Sequence, residues 1–396
     1  MSNDASERPR IYLDNAATSW PKPEGVYAAV EAYMRDCGAA ANRSGYAEAA
    51  AASQAVERAR RSAAALVGLD DPRYLVFTCN GTDSLNLVIH GLLRPGDHAV
   101  TTVVEHNSVL RPLAHLEQTA GVNVTRVGCN ADGVVDPDDV RRALRSQTRL
   151  VAISHASNVT GALQPVEEVA RIARGAGVLV LCDAAQTIGH QELDLAQLGV
   201  DFLAASGHKG LLGPLGTGIL AIRPEAAPAL DSVRQGGTGT QSEVARQPDE
   251  LPAKFESGNL NVPGILGLGA GVEFLRSRGL ENIERDAQRL TERLFAGFAE
   301  LPGLRVIGPR AAGGRVPLVS ITVAGYDPQE VALSLDAAFR IQVRPGLHCA
   351  PAMHEALATL EGGGTVRFSL GVFTSEAEID AAIGAVAEIA ASELRI

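Results

Sequence analysis

A chain of 396 residues is too long for one small core, so two domains, or one large domain with an appendage, are expected. Hydrophobic residues at 46% and charged residues at 20% suit a folded protein with a substantial interior. With 35 Lys and Arg against 46 Asp and Glu, the net charge of -11 argues against nucleic acid or an anionic membrane as a partner. "MSNDASERPR" mixes both charge signs before any apolar run and does not read as a secretory signal. The most apolar runs are far shorter than the roughly 20 residues a membrane helix needs, so a cytoplasmic location is expected. Five scattered cysteines (Cys37, Cys79, Cys129, Cys182 and Cys349) without CxxC spacing fit a reducing compartment and offer neither a disulfide framework nor a zinc knuckle.

In chain order, "IYLDNAAT" predicts a short strand running into a turn, and Glu48 to Leu69 is rich in helix formers. Apolar, β-branched runs then alternate with helical segments: "YLVFT", "HAVTTVV", "NVTRVG", "RLVAIS", "VLVLCD" and "FLAAS", with "GTGILAIR" as a further strand. This pattern predicts an α/β fold with a mainly parallel seven-stranded sheet covered on both faces. "QGGTGTQSEVARQPDELPAKFESGNLN" interrupts the alternation for longer than a compact-domain loop usually lasts, which marks a functional or partner-facing segment; its "GGTGT" reads as a turn bordering the site. Helices between about Ile265 and Leu301, a strand near "VPLVSITV", a helix after Pro328 and a closing helix from Glu376 predict a smaller α+β unit. The expected division is a large domain over 15–262 and a small domain formed by 1–14 and 263–396.

Open parallel sheets bind ligands at the carboxyl ends of their strands. After "YLVFT" come Cys79, Asn80, Gly81 and Thr82; after "HAVTTVV", Glu105, His106 and Asn107; after "RLVAIS", His155, Ser157 and Asn158; after "VLVLC", Asp183 and Gln186; after "FLAA", "SGHKG" from Ser206 to Gly210. Taken singly, each has an ordinary reading, a helix cap or a solvated lysine. Together they offer an anion cradle, a carboxylate, a flat ring and an amine at one sheet edge. Pyridoxal phosphate needs that combination: backbone donors for its phosphate, an Asp for its ring nitrogen and a Lys for its aldehyde.

"CDAAQT" followed by "SGHKGLLGPLGTG", with Lys209 26 positions after Asp183 (209 minus 183), resembles the class V aminotransferase group of fold-type I pyridoxal phosphate enzymes. "RPGLHCAP" resembles the active-site cysteine motif of the cysteine desulfurase and selenocysteine lyase branch, in the type reading Arg-x-Gly-x-His-Cys-Ala. The resemblance runs from "YLDNAAT" to "VRFSLGVFTSEAEID", nearly the whole chain. It implies that Lys209 joins pyridoxal 5'-phosphate, with Asp183 on the ring nitrogen, Gln186 on the ring oxygen and His106 stacked on the ring. Gly81, Thr82, Ser206 and His208 would hold the phosphate; Asn158 and Arg367 the substrate carboxylate, with Arg344 close by. Lys209, His106 and Cys349 would be the catalytic residues, and no metal is expected; "HEALA" has Ala358 where a second zinc ligand would stand.

The implied activity takes L-cysteine to L-alanine, with the sulfur carried as a persulfide on Cys349 to a small acceptor protein or thiol. A thiol near pKa 8.5 needs a positive neighbour to become a nucleophile, and Arg344 and His348 stand in the same loop. The resemblance also implies a homodimer. L-selenocysteine is a rival substrate for the same residues, and a C-S lyase or aminotransferase that does not use Cys349 is a second rival. Two positions depart from the family's pattern: Asn259, where many relatives have a Thr that reaches the neighbouring subunit's phosphate, and Tyr46, where close relatives often have His.

Overall fold

The computed structural model describes residues 9–240, 243–310 and 314–393. After a short strand β1 (Ile11–Tyr12) come β2 (Leu75–Thr78), β3 (His98–Thr102), β4 (Asn123–Val127), β5 (Thr148–Ser154), β6 (Leu179–Asp183), β7 (Phe202–Ser206) and β8 (Gly218–Ile222). These last seven form one sheet in the order β2-β8-β7-β6-β5-β3-β4. Neighbours from β4 to β7 are parallel, and β8 alone runs antiparallel to both of its neighbours. The expected mainly parallel seven-stranded sheet is therefore present.

The apolar runs are continuous because both faces are covered. Val151, Ile153, Val180, Cys182, Leu203 and Ala205 belong to one core, and the intervening Leu150, Ala152, Leu181, Phe202 and Ala204 to the other. At the edge strand β2, buried Arg60 and Glu256 satisfy backbone groups that no strand pairs: Arg60 donates to Leu75 O (2.7 Å) and Glu256 accepts from Phe77 N (2.7 Å). The two side chains also pair with each other (2.6 and 2.9 Å), tying the segment before Asn259 to the sheet.

The remaining strands are β9 (Leu304–Ile307), β10 (Leu318–Val323), β11 (Ile341–Gln342), β12 (Arg344–Gly346) and β13 (Thr365–Ser369). An antiparallel sheet β12-β13-β10-β9 packs with helices Leu280–Ala299, Pro328–Phe339 and Glu376–Glu393 around its own core. β1 pairs in parallel with β11, so the N-terminal strand joins this smaller unit. Helix Val262–Arg278 packs on helices Glu24–Ala32 and Ala47–Leu66, and its Ile265, Leu268, Val272 and Leu275 belong to the large core. By core membership we propose that the chain passes into the small domain near Gly279, where the backbone turns at φ 81° between two helices, rather than at 262/263.

Candidate active site

A cavity of about 350 Å³ opens at the carboxyl ends of the parallel strands, lined by Thr82, His106, Asp183, Gln186, Ser206 and Lys209 among others. At one end lies the N-terminus of helix Gly81–Leu92, capped by Asn80, whose Oδ1 accepts from Asp83 N (2.8 Å). Gly81 lets this helix start lie on the end of β7: a Cβ there would stand 2.6 Å from Ser206 Oγ and 3.2 Å from Ser206 N. Free N–H groups and the Thr82 and Ser206 hydroxyls thus converge on one spot. His208 lines the same cavity, and its buried Nδ1 has no hydrogen-bond partner among the described residues.

His106 is the N-cap of helix Asn107–Thr119, and its Nδ1 accepts from Ser108 N (3.0 Å). In the neutral ring the proton therefore resides on Nε2. Burial, with Lys209, Arg344, Arg367 and Arg111 as nearby cations, pushes its pKa down to about 4, so the ring is flat and uncharged at neutral pH. The Ser108 hydroxyl bridges His106 Nδ1 (2.8 Å) and Thr82 Oγ1 (2.8 Å), linking the ring to the anion end.

Asp183 ends β6, and its Oδ1 accepts from Ala185 N (2.9 Å). Burial raises its pKa, against the opposing pull of the Ala185 N–H and Lys209. Lys209 lies in the turn after β7. Burial pushes its ammonium down to about 8, opposed by Asp183 and reinforced by Arg367 and Arg344. Gln186 lines the cavity with its Nε2 on Ala16 O (3.3 Å).

The small domain closes the far wall. "RPG" is a strand rather than loop, and its register sets Arg344 directly opposite Arg367. Fully buried Arg367 donates from Nη1 to Asn158 O (3.0 Å) and from Nη2 to Asp14 Oδ1 (3.0 Å), while its Nε has no partner among the described residues. Burial pushes its pKa down to about 10, with Asp14 opposing. Arg344 donates from Nη2 to Cys349 Sγ (3.3 Å), which sets a positive charge beside an exposed thiol. Three bonds hold the His348–Cys349 turn: Asn107 N to Cys349 O (2.8 Å), Asn158 Nδ2 to His348 O (2.6 Å), and the His348 side chain, Nε2 with Thr365 Oγ1 (2.8 Å). His348 and Cys349 are both left-handed, φ 50° and 60°, a strained conformation that these anchors hold.

Two expectations, on His348 and on "GGTGT", need correction, and two further positions, Asn259 and Tyr46, lie on the exposed surface. His348 supplies no charge to Cys349: its ring is buried, and burial with Arg367, His354 and Arg344 nearby pushes its pKa well below 6.5, leaving it neutral. Asn259 is exposed and does not line the cavity. Nor does "GGTGT"; Leu215 and Gly216 form that rim, while Gly237 O and Gly258 O are gripped by Arg43. Tyr46 is exposed at the start of helix Ala47–Leu66. Sequence reasoning missed Asp14, Ser108 and the role of Glu105. Glu105 is fully buried, accepts from Thr102 Oγ1 (2.7 Å), Ser154 N (3.0 Å) and Ser154 Oγ (2.7 Å), and is lifted by burial to about 7. The polar residues of "LDNAAT" directly after a strand were the available signal for Asp14.

The sequence profile of the aminotransferase class-V family matches residues 11–382, and the chain belongs to that family. Among its relatives are proteins named as cysteine desulfurases. A protein of Methanothermobacter thermautotrophicus named "Probable cysteine desulfurase" is 37% identical over 94% of this chain and 92% of the relative. The apo structure of the cysteine desulfurase from Thermococcus onnurineus NA1 superposes with a TM-score of 0.91 at 35% identity, covering 97% of this chain and 95% of the other. The crystal structure of an Escherichia coli cysteine desulfurase in its S-sulfonic acid form gives 0.86 at 30% identity, over 97% and 95%. Cysteine desulfurases are pyridoxal phosphate-dependent enzymes. Among the described residues, no helix is long and apolar enough to cross a membrane.

Proposed function

We propose that this chain binds pyridoxal 5'-phosphate and converts L-cysteine to L-alanine, with Cys349 taking the sulfur as a persulfide. The observation that carries this reading is Cys349 Sγ on Arg344 (3.3 Å) at a cavity that Arg344 shares with Lys209, Asp183 and His106.

The residues present fit the cofactor. The Gly81 close approach, the Thr82 and Ser206 hydroxyls and the unpartnered His208 Nδ1 form a cradle for a phosphate. Asp183 would hold a ring-nitrogen proton, His106 would stack as a neutral ring, Gln186 would meet the ring oxygen, and Lys209 would be the amine that carries the group. Bound pyridoxal phosphate would supply the electron sink that makes a substrate Cα proton removable.

Arg367, with its free Nε, and Asn158 would hold the substrate carboxylate. Burial brings the Lys209 amine down to about 8, and in its neutral form Nζ would accept the Cα proton. Cys349 Sγ then attacks the substrate's sulfur. An S–S bond forms as the C–S bond breaks, the electron pair stays on Cβ, and Cβ takes a proton to become the methyl group of alanine. Cysteine and an enzyme thiol thus yield alanine and an enzyme persulfide with no outside oxidant. Because hydrogen bonds hold the His348–Cys349 turn in place, a small acceptor protein or thiol would come to the sulfur. We further propose a homodimer located in the cytoplasm. Exposed Trp20, Tyr27 and Met34 on this single chain support a covering copy, and five free thiols suit a reducing compartment.

Single-turnover mixing with L-cysteine, followed by mass mapping without reductant, tests the reading. One added sulfur atom on Cys349 and one alanine per site are expected, and both should be lost in Cys349→Ala. Pyruvate with an unmodified Cys349 would instead establish a lyase. Running the same experiment with L-selenocysteine measures which chalcogen the site prefers.

A further inference from the structure

Residues 12–22 form a strap between the two domains, and its far end grips the turn that carries Lys209. The His208 carbonyl accepts from Lys22 Nζ (2.8 Å), Ser19 N (3.0 Å), Ser19 Oγ (3.1 Å) and Thr18 Oγ1 (3.2 Å). The Lys209 carbonyl accepts from Ser19 Oγ (2.9 Å). These two carbonyls flank the Lys209 Cα, so holding both fixes the two peptide planes that aim its side chain. Lys22 Nζ also donates to Ser19 Oγ (2.7 Å). A hydroxyl has one proton, so with a lone pair engaged by Lys22, Ser19 directs that single proton between the two carbonyls, which share it. Ser19 is buried and Lys22 half-buried, and neither lines the cavity. The strap's near end is Asp14, on Arg367.

We propose that Lys22, acting through Ser19 and the His208 carbonyl, is the positioning residue that sets where the Lys209 amine stands. This rests on the reading that Lys209 carries the cofactor. An amine held by both flanking peptide planes keeps its reach to Cα constant through turnover, and small misplacements of a reacting group cost rate steeply.

The test compares cofactor-loaded wild type, Lys22→Met, Lys22→Arg and Ser19→Ala. Measured on each are borohydride capture of cofactor on Lys209 by peptide mapping, the pH midpoint of the bound cofactor's visible absorbance, kcat and KM for L-cysteine, and the melting temperature. Lys22→Met is expected to shift the absorbance midpoint, slow capture and lower kcat about tenfold with KM little changed, the scale expected for a sub-ångström displacement. Lys22→Arg should restore most of this, and Ser19→Ala should repeat the Lys22→Met pattern. If Lys22→Met does not fold, Ser19→Ala carries the same test. Wild-type absorbance, capture and kcat in Lys22→Met and Ser19→Ala overturn the proposal. So does a loss that merely follows the melting temperature and that Lys22→Arg fails to mend. Failure to capture cofactor on Lys209 in wild type would refute the underlying reading instead.

Discussion

Gly81→Ala tests the phosphate cradle with little disturbance elsewhere. The added Cβ would sit 2.6 Å from Ser206 Oγ, 0.8 Å inside the 3.4 Å at which ordinary contact begins, and 3.2 Å from Ser206 N. Two responses are open: Ser206 swings its hydroxyl away, or the start of helix Gly81–Leu92 lifts off β7 and takes Thr82 and its N–H groups with it. Either response removes at least one donor from a charged ligand, a loss of about 1.5–3 kcal/mol. At 1.4 kcal/mol per decade, cofactor affinity should weaken about 10- to 100-fold. Gly81 does not have a positive φ, and alanine favours a helix by up to about 1 kcal/mol over glycine, so the cofactor-free protein should keep its stability to within about that amount. The assay is titration of cofactor-free protein with pyridoxal 5'-phosphate, read by visible absorbance, beside a denaturant melt. Unchanged affinity with the fold intact would refute a phosphate seat between Gly81 and Ser206.

Glu256→Ala should cost about 3 kcal/mol, the low end for a broken buried pair, because Arg60 loses its two-point partner and keeps only Glu57 on its Nε while Phe77 N is unpaired; a denaturant midpoint shift worth less than about 1 kcal/mol would put the pair in the class of exposed bridges. Stability should also fall in acid. Burial pushes His106, His155, His190, His208 and His354 from 6.5 to about 4, so across that window the unfolded chain binds protons that the folded chain refuses. Glu105, lifted from 4.5 to about 7, and Asp183 and Glu284, also raised, act in the opposite sense, losing their contribution as pH rises, but with His90, His98 and His348 also lowered, eight groups outnumber three. Thermal melts of the cofactor-free protein at pH 7 and pH 5 check this; an equal or higher melting temperature at pH 5 would contradict it.

Much of the cavity's lining was legible before any fold was known. The alternation of apolar runs and helices dictates strands buried on both faces, and strand ends in such a sheet are where Asp183, Ser206 and Lys209 fall. Those signals are local, because hydrophobic period and turn chemistry act within a few residues. The pairings that shape the pocket are not local. Arg367 meets Asp14 across 353 positions, Asn158 holds the carbonyl beside Cys349 from 190 positions away, and Ser19 and Lys22 grip the Lys209 turn from the other end of the chain. His348 illustrates the limit: its place beside a cysteine suggested a cation, and only burial among arginines made it neutral. The sequence alone determined which residue types stand at the sheet's edge. Tertiary packing decided their charge states and partners, because desolvation and long-range hydrogen bonds arise only when distant segments close around the same cavity.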